Sequence, residues 1–122
     1  MYRASSLVKK LASDSYFHKG KDIKIFDVRD YTPLASFYLV ISAVNARQIK
    51  GIQENIEKLI EKADGGKINH IEGRHGADWV VIDAGDIVVH IFSELERERV
   101  KFDEIYQECK LVEFKKEAKK TK

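Results

Sequence analysis

"DWVVIDAGDIVVHIF", residues 78–92, decides how the chain is read. Apolar runs Trp79–Ile82 and Ile87–Phe92 flank the polar link Asp83-Ala84-Gly85-Asp86, which is the pattern of a β-hairpin. With Ala84-Gly85 as the turn pair, Ile82 lies opposite Ile87, Val81 opposite Val88, Val80 opposite Val89 and Trp79 opposite His90. Side chains alternate between the two faces of a strand. One face is then Val80, Ile82, Ile87, Val89 and Ile91, wholly aliphatic and suited to a core. The other is Trp79, Val81, Asp83, Asp86, Val88, His90 and Phe92. An indole among valines is not left bare to water, so this second face is covered, either by the chain's own helices or by a partner. Trp suits the partner role because one rigid ring buries a large area.

The surrounding sequence supplies the rest of a sheet. "SFYLVISAV", residues 36–44, is rich in aromatic and β-branched residues and reads as a strand buried on both faces. "IKIFDV", residues 23–28, alternates Ile23, Ile25 and Asp27 against Lys24, Phe26 and Val28, a further strand. Pro33 places a loop between the two. "KINHIEG" is a short strand and "GRHGAD", residues 73–78, a loop.

Helices fill the gaps. Leu7, Val8 and Leu11 make a narrow stripe from Ser5 to about Tyr16. Asn45 is a good N-cap for the clearest helix, with Ile49, Ile52, Ile56, Leu59 and Ile60 on one side and Gly65-Gly66 beyond its end near Ala63. Ser93 and Glu96 have capping-box spacing and open a last helical stretch with Val100, Phe102, Ile105 and Tyr106 on its apolar side. The order α-β-β-α-β-β-β-α predicts a single α/β domain: a mixed sheet of about five strands with flanking helices, over residues 1–109.

Composition fits that size. The 122 residues are 43% hydrophobic and 34% charged, enough for one core without disulfide or metal. No apolar run approaches the roughly 20 residues that span a membrane, and the N-terminus has no apolar h-region of a secretory signal. A lone Cys109 excludes a disulfide framework and suits a reducing compartment, so the expected location is the cytoplasm. The net charge of +2 divides unevenly: six Lys against Glu113 and Glu117 give the tail, residues 110–122, a charge of +4, leaving −2 on the rest. The tail is read as a frayed end with a minor rRNA contact as its possible use.

Chemistry-bearing motifs are sparse. Asp83 and Asp86 would lie close enough to share a divalent cation, but Asp beside Gly is ordinary turn chemistry, and no third ligand is near. His18, His70, His75 and His90 lack zinc-type spacing. Neither G-x-x-x-x-G-K-[ST] nor G-x-G-x-x-G is present. Arg74, in "GRHG", is the one loop residue placed to meet a phosphate. Cys109 has no nucleophile context and reads as an inert thiol. No catalytic residue, cofactor or metal is expected.

At this point the residues resemble a known family. "WVVIDAGDIVVHIF" is similar to the signature of the ribosomal silencing factor family (RsfS, Iojap). Upstream, Asp27, Arg29, Leu34, Ala35, Arg47, Gln48 and Ile52 stand at matching places; downstream, Arg97, Phe102, Ile105 and Tyr106 do. The likeness spans about residues 5–107. Ser36 stands where the family usually has Asp, and Ala84 where Tyr or Phe is common. The resemblance implies a nucleotidyltransferase-like fold without the catalytic carboxylates. It also implies a non-enzymatic factor that binds the large ribosomal subunit through its intersubunit-face protein number fourteen, blocks joining of the small subunit and represses translation.

On that reading Trp79 is the anchor in the ribosomal protein, with Val81 and Arg74 beside it. Asp83 and Asp86 meet basic residues at the rim, and His90 supports the indole. Asp27, Arg29, Gln48, Gly85, Arg97 and Tyr106 are structural supports. The factor acts as a monomer or homodimer. Two other classes stay open: a metal-dependent nucleotidyltransferase-like enzyme using Asp83, Asp86 and Asp27, and an RNA-binding module, which needs stacking aromatics on a basic sheet face.

Overall fold

Strands with apolar residues on both faces make a sheet that needs cover on both sides. A computed structural model describes residues 3–73 and 77–116. It builds α1 (Ala4–Phe17), β1 (Lys21–Asp27), β2 (Phe37–Ala43), α2 (Ala46–Lys62), β3 (His70–Glu72), β4 (Trp79–Asp83), β5 (Ile87–Ser93), α3 (Glu94–Val100), α4 (Phe102–Ile105) and β6 (Lys110–Leu111). The six strands form one sheet in the order β3-β4-β5-β2-β1-β6. At its centre β2 and β5 run parallel, joined through α2 and the β3-β4 hairpin, while every other pairing is antiparallel. The fold is the expected mixed α/β sheet with flanking helices, one strand larger than expected.

Two cores sit on the two faces. On one, α1 and α2 cover Ile25, Leu39, Ile41, Val80, Ile82, Ile87, Val89 and Ile91. The helix α2 contributes Ile49, Ile52, Ile56 and Ile60, all nearly inaccessible, and each such burial stabilises by about 2 kcal/mol. Asn45 caps α2 by accepting from the Gln48 N–H at 2.8 Å. A Cβ on Gly66 would stand 2.2 Å from the Ile60 carbonyl, so the chain leaves this helix only through glycine. On the opposite face α3 and α4 cover a smaller aromatic core of Phe26, Val28, Val40, Phe92 and Phe102.

Three expectations need correction. The hairpin closes two residues further along: Trp79 pairs with Phe92, Val81 with His90 and Asp83 with Val88. The loop is Gly85-Asp86, because Gly85 takes the positive φ (83°), and Ala84 N–H donates to Ile87 O across it at 2.9 Å. A slip of two keeps every side chain on its face, so the division into aliphatic and mixed faces stands. The final helical stretch is broken at Lys101, whose φ of 53° ends α3 and starts α4. Ile105 is consequently exposed at 58%, where one continuous helix would have buried it. The tail does not fray at Lys110. Lys110 and Leu111 pair with Asp27 and Phe26, Val112 N–H donates to Ile25 O, and Val112 and Phe114 pack on the larger core. Residues 117–122 lie outside those described.

Candidate partner-binding site

The mixed face of β4 and β5 is covered only in part by the described residues. Phe102, at the start of α4, sits over His90 (4.7 Å between ring centroids) and Phe92 (5.4 Å). Tyr106 packs on Phe26, Tyr38 and Phe102 and touches Tyr31. That cap stops short of β4. Trp79, Val81 and Asp83 on β4, with Val88 on β5 and Tyr38 on β2, remain half-buried, and Asp86 is exposed. Of the two covers left open by the sequence, the chain's own helices are present over His90 and Phe92, and beside them lies a strip that the described residues leave half-buried.

The indole of Trp79 is held firmly for a surface group. It stacks on its cross-strand partner Phe92 at 4.7 Å and 29°. Its Nε1–H donates to His90 Nδ1 at 3.2 Å, a contact made on the diagonal of the ladder. His90 is 8% exposed, and burial alone drives its pKa down to about 4. It is therefore neutral at pH 7, and since Nδ1 accepts, its proton is on Nε2. That Nε2–H is buried and has no hydrogen-bond partner among the described residues. Its ring neighbours are Tyr38, Phe92 and Phe102.

Carboxylates border the strip. Asp83 accepts from the Gly85 N–H at 2.9 Å, which ties it to the turn. The Asp86 carbonyl takes the N–H groups of Ser36 and Phe37 (2.8 and 3.0 Å) and anchors the hairpin tip to β2, while its side chain stays in water. Asp27 does not join them: alternation puts it on the face of Ile25, and Arg29 binds it at both oxygens (2.9 and 2.6 Å). The hydrogen bond from Arg29 holds the Asp27 carboxyl below its ordinary value. Among the described residues no group of three or more His, Cys, Asp or Glu is placed to hold a metal ion. Arg74 lies outside the described residues.

The remaining named residues lie beneath or beside this face. Arg97 is buried at 8% exposure and binds Asp103 at both oxygens (2.9 Å each), Ser42 Oγ at 2.9 Å and the Asp22 carbonyl at 2.7 Å, linking α3 to β1, β2 and α4. Burial pushes the Asp103 carboxyl up, but hydrogen bonds from Arg97 and Lys24 outweigh it and hold that group low. Gln48 accepts from the Val44 N–H at 2.7 Å and donates to the Lys19 carbonyl at 3.3 Å. Cys109 is half-buried against the aromatic core, and burial pushes its thiol up. Tyr38 was missed by sequence reasoning. Its position between Phe37 and Leu39, both buried, was the available signal, since alternation turns it to the Trp79 face.

Residues 3–122 match the family described as "Ribosomal silencing factor during starvation". A ribosomal silencing factor RsfS of Haemophilus influenzae is 31% identical over 88 residues, 72% of this chain and 85% of that protein. The RsfS of Bacillus subtilis is 25% identical over 109 residues, covering 89% and 92%. The chloroplastic protein Iojap of Arabidopsis thaliana is 28% identical over 105 residues, 86% of this chain but 42% of its own length. Among solved structures, a Chromobacterium violaceum protein superposes with a TM-score of 0.78 at 27% identity, covering 95% of this chain and 96% of its own. One from Bacillus halodurans gives 0.72 at 25% identity, covering 86% and 95%.

Proposed function

Because the chain belongs to the ribosomal silencing factor family, we propose that it docks the open strip around Trp79 onto the large ribosomal subunit. The docking partner is the subunit's intersubunit-face protein number fourteen, and the bound factor keeps the small subunit from joining. The observation that carries the reading is the half-buried indole, oriented by Phe92 and His90 and bordered by Asp83 and Asp86. A rigid aromatic ring with one face free is the usual centre of a protein interface. Carboxylates at its rim favour a basic partner and speed encounter more than they add affinity. The charge of −2 on residues 1–109 supports a basic protein as the partner of this face.

The action is steric. A body of 122 residues on the intersubunit face occupies space that the small subunit needs, and no bond is made or broken. Arg97 and Tyr106 serve by holding α3 and α4 in place beside the strip, and Gly85 by setting the hairpin tip.

Co-sedimentation tests the docking. Trp79→Glu is expected to keep the circular dichroism of the parent and lose large-subunit binding. Asp83→Lys with Asp86→Lys is expected to keep the fold and slow association. Retained binding in Trp79→Glu removes the indole from the interface. Incubation with nucleoside triphosphates and magnesium is expected to give no turnover.

A further inference from the structure

The start of the tail, residues 110–116, read from sequence as part of a loose end, is fastened to α1, and the fastening creates a second charged surface. Ser13 Oγ donates to the Lys115 carbonyl at 2.7 Å, and Phe114 packs on the larger core. Lys9, Lys10, Ser13, Glu113, Phe114 and Lys115 thereby line one cleft of about 450 Å³. Lys116 lies alongside, its Nζ 5.6 Å from the Phe114 ring centroid. None of Lys9, Lys10, Lys115 and Lys116 makes an ion pair among the described residues. The one acidic residue of α1, Asp14, is buried at 6% exposure, so the outer side of that helix offers cations and hydroxyls with no exposed carboxylate. Among the described residues, Glu113 alone opposes them in the cleft.

We propose that this cleft, formed where the tail crosses α1, binds the phosphate backbone of RNA. The choice of RNA rests on the ribosomal reading above. The chemistry is independent of it: lysine ammonium groups are compact point charges that neutralise phosphates without reading bases. The location also suits the role. α1 covers the face opposite Trp79, and the tail follows β6 at the far edge of the sheet from β4. The cleft therefore stays open when the Trp79 strip is docked. One molecule then holds a basic protein with one face and RNA with the other, and the two weak contacts reinforce each other through their effective concentration.

A fluorescently labelled A-form RNA duplex, titrated with the full chain at 50–200 mM KCl, tests this by anisotropy. Three lysines engaged give about a 40-fold loss of affinity across that range, from a slope of about −0.9 per neutralised phosphate. Lys9→Gln, Lys10→Gln and Lys115→Gln together are expected to abolish that slope of about −2.7 while leaving the thermal melt unchanged. Trp79→Glu is expected to lose large subunits and keep the RNA slope, so the two surfaces fail separately. The proposal is overturned if the triple variant keeps the parent slope. It is overturned equally if the slope disappears only on replacing Lys119, Lys120 and Lys122, or if the chain binds phosphatidylserine vesicles but no RNA.

Discussion

Acid should unfold this protein partly through one imidazole, and the size of the effect follows from its burial. His90 is neutral in the fold, with its pKa pressed to about 4 by the loss of water around it, whereas in the unfolded chain it titrates near 6.5. Between those values the unfolded state binds a proton that the folded state refuses. Stability from this group is complete above pH 6.5, falls as pH drops from 6.5 to about 4, and is level below that. The gap corresponds to about 3 kcal/mol. His90→Asn keeps an acceptor near the indole N–H and does not titrate. It should begin about 2 kcal/mol less stable at pH 7, having lost a ring packed against Phe102. As the parent loses its 3 kcal/mol the two stability curves should cross near pH 5. Urea unfolding of both proteins at half-unit steps from pH 7 to 4 measures this. With a slope of about 1.5 kcal/mol per molar, the parent midpoint should fall by about 2 M more than that of the variant. A constant gap between the curves over the whole range would refute the claim that the fold holds His90 neutral.

Asp103→Asn removes the carboxylate that binds the buried Arg97 at two nitrogens, and calorimetry should report a loss of about 2 to 3 kcal/mol. Asn45→Ala strips the N-cap of α2 and should cost about 1 kcal/mol in urea unfolding. Gly85→Ala forces a side chain into the left-handed region (φ 83°) and should cost about 1 to 2 kcal/mol, with a shifted hairpin-tip amide spectrum. Trp79→Phe keeps the stack on Phe92 but gives up the N–H held by His90; binding to large subunits should weaken by about tenfold in co-sedimentation, where Trp79→Glu loses it outright.

The two faces of the hairpin were legible because alternation is a property of the strand alone, and Val80, Ile82, Ile87, Val89 and Ile91 are the buried row in the structure. The pairing of Trp79 was not. It depends on which residue takes a positive φ, and both Ala84-Gly85 and Gly85-Asp86 contain the glycine that can. Asn45 and Ser93 were readable as caps because their oxygens act on residues three positions away. Lys101 was not readable as a break, since nothing about lysine announces a left-handed φ, and the apolar spacing ran on through it. β6 escaped notice at two residues long, yet Val112 and Phe114, two apart on the same side, were a trace of it. At the site, Trp79 and His90 were expected opposite each other; they share a face and touch, but on the diagonal of the ladder. The share of their face that α4 would cover was not legible, because that depends on where the chain turns at Lys101.

The central pairing has a consequence for the order of synthesis. Phe37 and its neighbours on β2 meet Ile87 and β5 in parallel register, 50 residues downstream. A nascent chain emerges N-terminus first, so the apolar run Phe37–Ala43 is made well before its principal neighbour exists. Until then it is a short, uncharged, β-prone segment of the sort that joins other chains. Of its two flanking strands β1 alone is available early, and long-range pairings of this kind form late. Slowing elongation between Ala43 and Ile87 should thus raise aggregation in cells without altering the finished protein.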